Sequence, residues 1–124
     1  MAASTLRTLR ERFSPLYRLR RNRFVLTRIW PLLDRQKFTR LHGVNWPVRV
    51  RLLRHMTLIV DNRIAEPGPA SALAALVPYC RPLTFWDVGA NIGLYSWMVL
   101  SADPEARALL FEPDPDNLDL LHRT

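Results

Sequence analysis

Two glycines four positions apart, Gly89 and Gly93, stand between an apolar run that closes on an acid and a stretch with helical apolar spacing. The first run is Leu83 to Val88, with Asp87 near its end. A second apolar run, Ala108 to Phe111, closes on Glu112, 19 positions after Gly93. Strand, glycine turn, helix, strand and acid in that order are the layout of a β-α-β nucleotide-binding unit, and they restrict the chain to an α/β fold built on parallel strands. Neither run alternates polar with apolar residues, so both strands are expected to be buried on two faces.

The flanking segments fit around this unit. Ile92 to Ser101 has the spacing of a buried helix, which Asp103-Pro104 stops, and Asp114 or Asp116 caps a further helix from about Pro115, with Leu118, Leu120 and Leu121 inward. Upstream, Glu66-Pro67-Gly68-Pro69 reads as a turn, and Ser71 as the cap of a helix from Ala72 to Tyr79 whose Leu73, Leu76 and Val77 cover the first strand. Val44, Trp46, Val48 and Val50 alternate with polar residues, and Thr57-Leu58-Ile59-Val60 is a second strand candidate, so a hairpin is expected between them. The first forty residues read as helical in pieces: Leu6, Leu9, Phe13 and Leu16 recur at helical spacing, Phe24, Ile29, Leu32 and Leu33 continue, and Pro15 and Pro31 interrupt. The expected division is a basic helical extension over 1–42 and a nucleotide-binding region over 43–124.

Charge follows the same division. Residues 1–63 hold fifteen Lys and Arg against three acids, a net +12, whereas residues 64–124 hold three Arg against eight acids, a net −5. A basic front half attracts nucleic acid, anionic lipid or an acidic protein. No nucleic-acid-binding motif accompanies the charge, and a membrane-surface contact through residues 1–42 is the alternative that its Arg and Leu/Phe/Trp content leaves open. No run approaches the roughly 20 apolar residues of a membrane span. The amino terminus lacks the apolar core and small-residue cleavage site of a secretory signal, so the expected location is cytoplasmic. Cys80 is the only cysteine, which excludes an internal disulfide; it reads as a packing residue. His42, His55 and His122 are too scattered to suggest a metal site.

The residue types in the central unit suit a particular nucleotide. Gly89 lets the chain turn sharply out of the strand, and Gly93 lets the helix start tight against a ligand. The new helix presents free N–H groups and the positive end of its dipole, which favours a carboxylate by about 0.3–2 kcal/mol. Asp87 would repel a pyrophosphate but can accept from the ammonium group of a bound amino acid, directly or through water. Glu112 ends its strand where a carboxylate can accept from both ribose hydroxyls, each such bond contributing about 1.5–3 kcal/mol. Asn91 either bonds the ligand or ties down its own turn. An adenosyl amino acid, S-adenosylmethionine, meets all of these groups. A dinucleotide of the NAD type meets Glu112 but usually requires Gly-x-Gly-x-x-Gly, which this chain lacks.

Asp87-Val88-Gly89-Ala90-Asn91-Ile92-Gly93-Leu94-Tyr95-Ser96 and Phe111-Glu112-Pro113-Asp114-Pro115-Asp116-Asn117-Leu118 resemble the two leading signatures of FkbM-type S-adenosylmethionine-dependent methyltransferases. The upstream Glu66-Pro67 pair and the expected hairpin are also similar to that family. The likeness covers residues 43–124. It implies a Rossmann-like methyltransferase fold, cut short after the second core strand, with a helical and β-hairpin extension at its amino end. It also implies methyl transfer to a hydroxyl of a sugar or secondary metabolite, with Asp87, Gly89, Asn91, Gly93 and Glu112 lining the cofactor. Family members extend well past residue 124, so the chain is expected to be the amino-terminal part of such an enzyme and inactive alone. The catalytic base stays unassigned, because His122, the one imidazole near the motifs, falls on a helix after the second strand. Two other classes remain: an NAD-type Rossmann enzyme fragment, and a non-catalytic basic interaction or membrane-peripheral protein.

Overall fold

The computed structural model describes residues 28–61 and 67–124. The chain divides into two compact units, Met1–Arg35 and Gln36–Thr124. In the first, the described part holds a single helical turn, α1 (Trp30–Leu33), closed by the Asp34 N–H on the Trp30 carbonyl at 2.8 Å. The helical repeat expected around Leu6, Leu9, Phe13 and Leu16, and its continuation at Phe24, lie outside the described residues.

The second unit is mixed α/β. Its elements are β1 (Gln36–Arg40), β2 (Pro47–Arg51), α2 (Met56–Asp61), α3 (Pro67–Leu76) with a 3₁₀ turn over Val77–Tyr79, β3 (Thr84–Val88), α4 (Leu94–Ala102), β4 (Arg107–Phe111) and α5 (Pro115–His122). Strands β1 and β2 form an antiparallel hairpin in which Phe38 stands opposite Arg49 and Thr39 opposite Val48. Strands β3 and β4 form a separate parallel pair, with Trp86 opposite Leu109 and Val88 opposite Phe111. No helix of the described residues is long and apolar enough to cross a membrane.

Helix α4 holds the two pairs of strands together. Its sequence is apolar almost all round, as a helix covered on both sides must be. Leu94, Trp97 and Met98 pack with Leu41, Val44, Val48 and Val50 of the hairpin, with Ile92 of the turn after β3 and with Leu120 of α5. Val99, fully buried, and Leu100 pack on the other side with Val77, Ala106, Leu73, Leu83 and Phe85. Trp46 meets Trp97 edge-on, with ring centroids 6.2 Å apart. The hairpin loop is pinned to the end of the helix by two bonds of 3.0 Å: the Asn45 N–H to Ser101 Oγ, and Asn45 Nδ2 to the Ser101 carbonyl.

The β3-α4-β4 unit and the start of α5 form as the sequence predicts. Asp103 closes α4 and Asp114 caps α5, accepting the Asp116 N–H at 2.9 Å. Leu120 and Leu121 are buried on α5, while Leu118 is exposed and Asn117 takes the third inward place.

Further expectations are corrected. The hairpin does not pair 44–50 with 57–60: Gln36–Arg40, inside the stretch read as helical, is the partner strand, and Met56–Asp61 is a helix. The β-branched character of Thr57, Ile59 and Val60 yields to a turn at Arg51–His55 that starts a local ladder, with the Leu58 and Ile59 N–H groups both bonding the His55 carbonyl. Helix α3 begins at Pro67, before Ser71, because prolines in a first turn lack only N–H groups that would have no helical partner. Cys80 is exposed. The parallel pair is covered on one face only: α3 and α4 both lie against the side that carries Phe85, and the alternate residues Trp86 (64% exposed), Val88 (79%), Leu109 and Phe111 face outward.

Ion pairs join the hairpin end to α5. Arg54 reaches Asp114 at 3.1 Å and Asp116 at 3.6 Å, and Arg51 reaches Asp116 at 3.2 Å. The Asp116 N–H, and after it the Arg54 guanidinium, favour the ionised carboxylate of Asp114 and hold it below its ordinary 3.8. A group whose acidity is raised by folding contributes stability above its unfolded value and loses it as the pH falls through the lower folded one. Urea midpoints should therefore fall on acidification below a pH of about 4, and Asp114→Asn should flatten that limb. Circular dichroism across the acid range checks this.

Candidate functional site at the carboxyl ends of the parallel strands

Both signature segments meet where β3 and β4 end. The Gly89 and Ala90 N–H groups bond the Phe111 carbonyl at 2.8 and 3.1 Å, which draws the glycine turn over the end of β4. One residue further on, the Asn91 N–H donates to Glu112 Oε2 at 2.6 Å, and the Asp114 N–H donates to Oε1 at 2.9 Å. The Glu112 carboxylate thus joins the turn after β3 to the turn after β4. A carboxylate offers about four acceptor positions, and two are taken by these N–H groups. Glu112 is half-buried at the lip of the two turns.

The turn itself demands an unusual backbone. Gly89 has φ +78° and Gly93 φ +76°, and between them Asn91 has φ +53°, a left-handed conformation that asparagine tolerates better than most residues. The two glycines differ in what surrounds them. A methyl group added at Gly89 would meet nothing within 4 Å, so the backbone there lies bare. One added at Gly93 would fall 2.7 Å from Trp97 Nε1 and 2.9 Å from Leu121 Cδ2. Gly89 therefore gives close access from outside, and Gly93 lets α4 and α5 pack together.

Asp87 is placed beneath the turn. It is buried, and Ser96, fully buried on the first turn of α4, donates its hydroxyl to Oδ2 at 2.7 Å. The bond ties the end of β3 to the start of α4 and so sets the shape of the turn above it. Trp97 adds a second tie through Nε1 to the Ile92 carbonyl at 2.7 Å.

Of the five residues singled out from the sequence, the structure brings Gly89, Asn91 and Glu112 together at the open lip and places Asp87 and Gly93 underneath. Sequence reasoning missed Ser96 as the partner of Asp87 and Trp97 as the reason for Gly93. Asp87 and Ser96 are nine positions apart across a turn, so no local spacing points to that pair. The Arg51 and Arg54 pairing with Asp114 and Asp116 does have a visible signal: a basic front half facing a run of acids. Among the described residues, no three His, Cys, Asp or Glu converge to hold a metal ion.

Family models give no match to this chain, and neither curated protein sequences nor solved structures match it.

Proposed function

We propose that residues 83–124 form the cofactor-binding part of an S-adenosylmethionine-dependent methyltransferase with a Rossmann-like fold, resembling the FkbM type. The observation that carries this reading is the Glu112 carboxylate at the end of β4, bonded at 2.6 Å to the glycine turn after β3, beside a bare Gly89 backbone. Ligands of open α/β sheets bind outside the carboxyl ends of the strands, and this is where both features lie.

The residues fit such a ligand. Glu112 has acceptor capacity left for the ribose hydroxyls, and its two backbone donors hold the carboxylate still. Gly89 allows a close approach, and α4 begins directly after the turn, so that its positive end lies there. Asp87, bonded to Ser96, supports this cradle as a positioning residue. When bound, S-adenosylmethionine supplies an electrophilic methyl group. The acceptor this reading favours is a small molecule or glycan hydroxyl.

Nuclear magnetic resonance on the labelled protein tests the proposal. Titration with S-adenosylhomocysteine should shift the amides of Gly89 to Gly93 and Glu112 to Asp114, leaving those of the β1–β2 hairpin in place. Shifts produced by NAD and not by S-adenosylhomocysteine, or by neither, would refute it.

A further inference from the structure

Two pieces of chain adjacent in sequence each show the same chemistry at their surfaces. In α1 and its flanks, Ile29, Leu32 (72% exposed) and Leu33 (58%) project into solvent, with exposed Arg28 before them and exposed Arg35 after. On β1, Phe38 is 47% exposed between exposed Lys37 and Arg40, and the Arg49 guanidinium from β2 lies over its ring, 4.6 Å from the centroid. No ion pair among the described residues involves Arg28, Arg35, Lys37 or Arg40.

We infer that residues 28–35 and residues 36–40 are, each by itself, a contact stretch for an anionic phospholipid surface. Exposed large apolar side chains rimmed by polar ones mark an interaction site. Their interleaving with Arg and Lys selects the occupant: aliphatic and aromatic groups enter the headgroup boundary while the long basic side chains reach phosphates beside them. The net +12 of residues 1–63 adds long-range attraction to a negative leaflet. Single-stranded nucleic acid would use the same cations, but it needs aromatic platforms for its bases. Here three of the four exposed apolar groups are aliphatic.

Co-sedimentation of the full chain with vesicles decides the question. Vesicles of phosphatidylcholine containing about one-third phosphatidylglycerol should bring the protein down, phosphatidylcholine alone should not, and added salt should release it. Replacing Lys37 and Arg40 together by glutamine should weaken binding about 30-fold, from two lost surface cations. Leu32→Ser with Leu33→Ser should weaken it about tenfold or more. Circular dichroism matching the parent chain shows that these exposed substitutions leave the fold intact. Equal binding to both vesicle types, undiminished binding by both variants, or capture of an oligonucleotide without vesicle binding would each overturn the inference.

Discussion

Glu112→Ala should lower affinity for S-adenosylhomocysteine about a hundredfold or more on the proposed reading, in which two charge-assisted bonds to a ribose contribute about 1.5–3 kcal/mol each. The same substitution releases the N–H groups of Asn91 and Asp114, which now end on the carboxylate. The turn after β3 then loses its tie to the turn after β4, and a stability loss on the order of 1–3 kcal/mol accompanies the loss of binding. Glu112→Gln separates the two effects. An amide has one oxygen, so it can accept one of the two backbone N–H groups and must turn its own NH₂ toward the other. It should retain more stability than alanine yet bind little better. Calorimetric titration gives the affinities and urea denaturation the stabilities; alanine and parent chains with equal affinity would remove Glu112 from the site.

Gly93→Ala should be among the most damaging single-methyl changes in the second unit. The left-handed backbone costs an alanine about 1–2 kcal/mol. The added carbon would also stand 2.7 Å from Trp97 Nε1 and 2.9 Å from Leu121 Cδ2, and overpacking of this kind costs about 1–3 kcal/mol more. Trp97 cannot step aside cheaply, because its indole N–H is bonded to the Ile92 carbonyl and its ring abuts Trp46. Gly89→Ala is the matched control. It carries a similar φ but meets no neighbour, so it should cost only the backbone part, about 1–2 kcal/mol. Thermal denaturation of the two variants side by side checks the difference; equal losses would mean that α4 and α5 accommodate the methyl.

How much of this was legible in the sequence depended on whether the physics was local. The Asp103 stop, the sharp turn at Gly89 and a cap at Asp114 or Asp116, of which the structure chooses Asp114, are decided by groups within a few residues and were legible in the sequence. The hairpin was not. Gln36-Lys37-Phe38-Thr39-Arg40 is a polar strand that offers little hydrophobic pattern, and Thr57 to Val60 has strand-like residues in a short helix. In the first, pairing with β2 decides the strand, and in the second the turn at Arg51–His55 overrides strand propensity. The one-sided cover of β3 and β4 was also hidden, since an unbroken apolar run looks alike whether or not its second face is packed. In the candidate site, the glycines and both acids were visible, but their division between lip and foundation was not. That division follows from Ser96 and Trp97, which reach their partners only once α4 has folded back against the turn.

Helix α4 sends Trp97 and Met98 into one cluster and Val99 and Leu100 into the other, so the clusters have no separable boundary. Loosening either one unseats the side chains of its neighbour. Gln36–Thr124 should therefore melt as one cooperative block, with the amides of Val99 and Leu100 exchanging with deuterated solvent only through complete unfolding.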